Sequence, residues 1–140
     1  AHGNEPSHHV AYFYTMAGEP DKTADLVRYI LTELYSAAPD GLSGNEDVGA
    51  MSSWYILSSL GFYQVEPAGG RYFLGSPLFD EAVIRVAGGE FTVRALNNSP
   101  ENRYIKSIRL NGQPYDRWWI DFSDITAGGV LEIEMTDEQK

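Results

Sequence analysis

At Gly61 the hydrophobic pattern of the chain changes period. Upstream, apolar residues recur at helical spacing in three runs. Downstream they alternate in short segments separated by glycine, proline and asparagine. The pattern therefore predicts an α+β protein with its helices first and an antiparallel β unit after them. A length of 140 residues allows one ordinary domain or two small subdomains sharing a core.

The first helix is expected to start near Pro6, with Glu5 or Asn4 ahead of it. It carries Val10, Ala11, Tyr12, Phe13, Tyr14, Met16 and Ala17 up to Gly18, apolar nearly all round, which predicts burial on several sides. The second runs from about Pro20 to Tyr35, with Leu26, Val27, Ile30, Leu31, Leu34 and Tyr35 on one face. Asp21, Lys22, Asp25, Arg28 and Glu33 are assigned to water, and Pro39-Asp40-Gly41 ends the segment. A third helix, about Val48 to Leu60, is again apolar on most faces. This order suggests a layered helical assembly in which the inner helices line a site and the outer one shields them.

Beyond Gly61, Phe62-Tyr63-Gln64-Val65 and Arg71-Tyr72-Phe73-Leu74 read as strands around a turn at Pro67 to Gly70. Ala82 to Ala87 and Glu90 to Leu96 alternate across Gly88-Gly89, a hairpin signal. Tyr104 to Leu110 is turned by Asn111-Gly112. Trp119 to Phe122 and Val130 to Met135 complete what is expected to be a small sandwich.

Twenty acidic against ten basic side chains give a net charge of -10. That argues against nucleic-acid and anionic-membrane partners, which need a basic face, and fits a neutral ligand or a cation. The absence of cysteine removes disulfides, a thiolate nucleophile and a Cys-based zinc site. Neither a signal peptide nor a membrane-spanning stretch is visible. The chain opens inside what looks like a motif, so a fragment of a larger protein is expected.

Two polar clusters precede apolar helical runs. Gly44-Asn45-Glu46-Asp47-Val48-Gly49 sets a carboxamide and two carboxylates in consecutive positions between glycines. One reading is an acidic loop whose Asp47 caps the following helix. The other is a site, since flanking glycines let the backbone approach a ligand closely. His2-Gly3-Asn4-Glu5-Pro6-Ser7-His8-His9 is the second cluster. The two converge on one pocket if their helices pack side by side, and their acids and amides suit a hard cation or a sugar. His8 and His9 are adjacent, about 100° apart on a helix, rather than at the i, i+4 spacing of helical zinc sites, and hydrogen bonding suits them better. Trp118-Trp119 offers either a sugar-stacking surface or one core and one interface residue.

The run His2 to His9, the stretch Ala38 to Tyr55, Gly61-Phe62-Tyr63 and Gly75-Ser76-Pro77-Leu78-Phe79 resemble the C-terminal part of glycoside hydrolase family 92. That family consists mostly of bacterial exo-acting α-mannosidases. The resemblance implies an N-terminal β-sandwich with an (α/α)6 barrel, dependence on Ca²⁺ and inversion at the anomeric carbon. Residues 1–63 would be the last helices of the barrel and 64–140 the C-terminal antiparallel segment. The upstream β-sandwich and the rest of the barrel would be partners in the same polypeptide. The substrate would be a mannose-containing glycan, with α-1,2 linkages as the expected target. By the same resemblance Asp47 matches the general base. The position two residues earlier is often a second acid in the family and is Asn45 here, left as a polar positioner. Glu46 is a supporting or structural acid. Glu5 and Asn4 are candidates for holding Ca²⁺, and the general acid would lie upstream. Location would be periplasmic, secreted or on the cell surface of a bacterium.

Two other readings remain beside this one: a non-catalytic glycan-binding module, and a calcium-stabilised structural domain. The hydrolase reading predicts that the 140-residue chain alone has no turnover. Mannose release by the chain after rigorous purification would count against it.

Overall fold

A computed structural model describes residues 10–34, 57–64 and 70–139. A 3₁₀ turn (Val10–Tyr12) runs into α1 (Phe13–Met16), followed by α2 (Pro20–Tyr29), which continues as a π-helical turn (Ile30–Leu34). Residues 57–60, here α3, are helical and stop at Gly61, whose φ of 114° suits glycine alone. The strands are β1 (Phe62–Gln64), β2 (Arg71–Leu74), β3 (Glu81–Val86), β4 (Gly89–Leu96), β5 (Tyr104–Leu110), β6 (Gln113–Tyr115), β7 (Trp119–Asp121) and β8 (Gly129–Thr136). A short helix, α4 (Phe122–Thr126), lies between β7 and β8.

The strands form two sheets, β1-β2-β7 and β3-β4-β8-β5-β6. Successive side chains on a strand point to opposite faces, and the smaller sheet uses both. Phe62, Leu74 and Ile120 join Phe91, Val93, Ile108, Leu131 and Ile133 of the larger sheet in one buried core. On the other face, Phe73 packs with Ala11, Tyr12, Val27, Ile30 and Leu31 of the helical segments, flanked by Tyr63 and Trp119. The small sheet is thus the middle of three layers. Its register sets Tyr63 beside Phe73 and Phe73 beside Trp119, so an aromatic row crosses the face that receives the helices.

The β unit is mixed rather than wholly antiparallel, because β8 runs parallel to β4 while antiparallel to β5. The chain between β4 and β8 holds three strands and a helix, long enough to return in the same direction. β8 takes the centre because Leu131, Ile133 and Met135 alternate with charged residues and fill the shared core. β6 escapes the strand pattern because Pro114 interrupts it, and an edge strand tolerates a residue without an N–H. At Phe122 the expected strand gives way to α4, and that ring is exposed. The Asn111-Gly112 turn takes positive φ at both residues, 52° and 81°, as a two-residue hairpin of primed type requires.

The helices differ more from expectation. Around α1, Ala11, Tyr12 and Thr15 are buried while Phe13, Tyr14 and Met16 are exposed, so one face rather than several is covered. On α2, Asp21 and Arg28 are buried instead of facing water. Asp21, Asp25 and Arg28 fall at helical spacing on one stripe. Asp25 accepts from Arg103 Nε at 2.6 Å and from the Tyr104 hydroxyl at 2.7 Å. The stripe is an interface to the β half. Near the end of α2, Thr32 Oγ1 donates to the Arg28 carbonyl at 2.7 Å, competing for an acceptor of the helical ladder where the π turn begins.

Two glycines separate steric from conformational cost. A Cβ on Gly88, whose φ is ordinary, would overlap the Ala127 carbonyl oxygen; around Gly112 nothing lies within 4 Å, but φ is 81°. Gly88→Ala is expected to cost about 3 kcal/mol through overpacking. Gly112→Ala should cost about 1–2 kcal/mol through its left-handed backbone. Thermal midpoints of the two variants check the order, and equal midpoints would mean that the Ala127 carbonyl gives way freely.

Candidate functional site

The three helical segments meet at residues 74–78, the loop that leaves β2. Thr15 Oγ1 of α1 donates to the Leu74 carbonyl at 2.9 Å. Gly75 N donates to the Gly61 carbonyl at 2.9 Å, and Leu78 N to the Ser59 carbonyl at 2.9 Å, fixing the end of α3. Arg28 Nη2 of α2 donates to the Pro77 carbonyl at 2.6 Å and also to Asn98 Oδ1, while Nη1 reaches the Ser99 carbonyl at 2.9 Å. Ser76 Oγ donates to the Arg103 carbonyl at 2.7 Å. A buried loop must find partners for its backbone polar groups, and here each helix supplies some of them.

Within this junction Tyr12 is fully buried, and its hydroxyl donates to Ser58 Oγ at 2.6 Å. Its ring stacks on Tyr63 with centroids 5.5 Å apart. Gly75 makes room for it, since a Cβ there would come within 3.2 Å of the hydroxyl. The bond joins the two helical segments that follow the polar clusters His2–His9 and Gly44–Ser52 in sequence. Burial pushes the Tyr12 phenol far above its usual range, with the Ser58 hydrogen bond pulling the other way and Tyr63 adding a smaller upward push. Tyr12 therefore stays neutral and serves as a prop rather than a base. Burial, then the charge of Arg103, lowers the Arg28 guanidinium from its ordinary value, while Asp80 acts in the opposite sense. Among the described residues, the side chains of this junction act as a scaffold rather than as an acid or base near neutral pH.

Asp47, Asn45, Glu46, Glu5 and Asn4 lie outside the described residues, as do His8 and His9. Among the described residues no group of three or more His, Asp or Glu side chains is placed to hold a metal ion. Trp119 sits in the second core against Phe73, with Arg71 5.0 Å and Arg117 5.9 Å from its ring. Trp118 is half-buried against the first core. The sequence pattern put Tyr12 in an apolar helix, Arg28 in water and Ser76 in a family motif, and gave none of them, nor Ser58, a supporting role. The consecutive serines Ser58 and Ser59 at the end of an apolar helix were the available signal, because buried hydroxyls need partners.

Residues 1–137 match the family model described as the glycosyl hydrolase family 92 catalytic domain. The chain belongs to this family. A protein named an uncharacterized secreted glycosidase, from Arthroderma benhamiae, is 33% identical over 141 residues, covering 98% of this chain and 18% of that protein. Among solved structures, the family 92 α-mannosidase BT3965 of Bacteroides thetaiotaomicron is 40% identical with a TM-score of 0.92, covering 98% of this chain and 19% of that one. The inverting mannosidase BT2199 of Bacteroides thetaiotaomicron VPI-5482 is 37% identical with a TM-score of 0.91, covering 99% and 19%. This family 92 chain thus spans about a fifth of the length of the relatives it matches.

The Tyr12–Ser58 pair gives a stability prediction. Tyr12→Phe and Ser58→Ala each strand a buried polar partner, and each is expected to cost about 1–3 kcal/mol, with the double variant costing less than the sum. The raised folded pKa leaves stability intact below the unfolded tyrosine value of about 10 and removes it as pH climbs from there towards the folded value. Denaturant titrations between neutral and strongly alkaline pH check both points. Tyr12→Phe should lose less stability over the alkaline range than the wild type.

Proposed function

We propose that this chain is the C-terminal part of an inverting exo-α-mannosidase that removes terminal mannose from glycans, with α-1,2 linkages the preferred target. The observation that carries the reading is the match of residues 1–137 to the family 92 catalytic domain. The likeness to an α-mannosidase and to an inverting mannosidase along nearly the whole chain supports it. In this reading residues 1–63 contribute the last helices of an (α/α)6 barrel, and residues 64–140 return as strands beside it. The remainder of the polypeptide supplies the other barrel helices, a β-sandwich and the general acid, so the chain is inactive alone.

An inverting hydrolase needs an acid for the leaving oxygen and a base for the attacking water, about 6.5–9.5 Å apart. Asp47 takes the water proton. Asn45 orients that water through its carboxamide, and Glu46 is a supporting or structural acid. The Tyr12–Ser58 bond and the pinned end of α3 hold the two helical segments that follow the polar clusters in sequence. Glu5 and Asn4 offer carboxylate and carboxamide oxygens, the donors that a hard cation takes, and so fit Ca²⁺. Bound there, Ca²⁺ would supply a positive charge for two sugar hydroxyls and favour ring distortion. The relative named a secreted glycosidase supports export, and among the described residues no helix is long and apolar enough to cross a membrane. We read the location as periplasmic, secreted or cell-surface, in a bacterium.

The test is mannose release from α-linked mannobiosides by the complete polypeptide, with and without a Ca²⁺ chelator, beside Asp47→Asn. Loss of a positioned general base is expected to lower kcat by about 10²–10⁴-fold. Chelation should remove activity and restored Ca²⁺ should return it. Activity that survives Asp47→Asn would move the base elsewhere and leave the central cluster as a capped helix start.

A further inference from the structure

Trp118 lines two neighbouring clefts. One, of about 530 Å³, is walled by Lys106, Tyr115, Asp116 and Arg117 over the buried side chain of Ile108. The other, of about 380 Å³, is walled by Glu19, Asp21, Lys22 and Gln139. Neither includes Tyr12, Ser58 or the loop 74–78. Both volumes fall in the range of about 300–1,000 Å³ typical of small-molecule pockets.

The lining narrows the ligand class. An apolar molecule would strip water from charged groups in both clefts without replacing their hydrogen bonds. A polyanion would meet Glu19 and Asp21 on a chain of net charge -10. A neutral polyol satisfies both constraints, since its hydroxyls both donate to carboxylates and accept from lysine and arginine. Its C–H faces rest on aromatic residues, and Tyr115 and Trp118 stand in the larger cleft. Tyr115 is braced for this, donating its hydroxyl to the Trp119 carbonyl at 2.6 Å. Two clefts that share one tryptophan fit two linked rings better than one.

We propose that these clefts form a binding site for a neutral oligosaccharide lying across Trp118, with one sugar unit in each cleft. The site requires a sugar ligand and no turnover, so it stands independently of the hydrolytic reading. Together with the hydrolytic reading, such a site would hold a long glycan near the enzyme between successive cleavages.

Affinity electrophoresis of the complete polypeptide in gels containing α-mannan, galactomannan or hydroxyethylcellulose tests the site, together with turnover of an aryl α-mannoside. Wild type should be retarded by at least one polysaccharide. Trp118→Ala and the double variant Asp116→Ala, Arg117→Ala should each weaken retardation about tenfold, as loss of a central contact would. Turnover of the small aryl mannoside should stay within about twofold of wild type, a difference of under 0.5 kcal/mol. Unretarded wild type on all three polysaccharides overturns the proposal, as does retardation unchanged in both variants. Loss confined to Trp118→Ala together with a lowered thermal midpoint also overturns it, because that marks a structural tryptophan. Retardation that depends on the clefts, without any aryl mannoside turnover in wild type, would keep this site and remove the hydrolytic reading.

Discussion

The backbone of residues 74–78 imposes the constraint on which the rest of the structure depends. This loop is buried over Leu74 to Pro77, between a sheet and a helical layer, where an unpaired peptide group costs as much as a lost hydrogen bond. Its partners come from Thr15, Arg28, Gly61 and Ser59, one or more from each helical segment or its end, and from Asn98 across the β4–β5 connection. Hydrophobic contact alone would let helices slide over the aromatic row Tyr63, Phe73 and Trp119, because burial is non-directional. The hydrogen bonds to the loop fix where each helix stops.

Arg28 is the costly member of this arrangement. Its guanidinium is desolvated and its Nε has no hydrogen-bond partner among the described residues, as is true of the buried Ser59 hydroxyl. Its other nitrogens compensate by reaching two carbonyls and an asparagine, tying two β connections to one helix. The Asp25–Arg103 pair beside it is less deeply placed and adds a second tether from the same helix. For a family 92 chain, such tethers keep the helical layer in register with the sheets.

Much of this was legible in the sequence where one residue's chemistry decides the outcome. Gly61 closes α3, Asn111-Gly112 turns β5 into β6, and the alternation of β4 sets its buried face, all from local pattern. Pairing was not legible. Nothing in Leu131-Glu132-Ile133 says that β8 joins β4 in parallel, since the same alternation suits either direction. Nor did composition reveal that Asp21 and Arg28 are buried, because charged residues are usually exposed and their partners lie far along the chain. The candidate site divides in the same way. Its supporting bonds connect residues 46, 49 and 59 positions apart, beyond the reach of any periodicity. The carboxylates of Glu46 and Asp47 stood out by spacing and by resemblance to the family.

The central position of β8 has a bearing on how the chain is made. It follows β4 and β5 in sequence, yet it sits between them, so those two strands have no shared neighbour until it arrives. During synthesis the half-built sheet presents two open edges and the apolar faces of Val93 and Ile108, the kind of surface that recruits other chains. Closing the sheet then means inserting a strand between partners that both lie well upstream of it in sequence, which is slow compared with forming local hairpins. The charged residues alternating along β8, Glu132 and Glu134, give that late strand a soluble face while it waits.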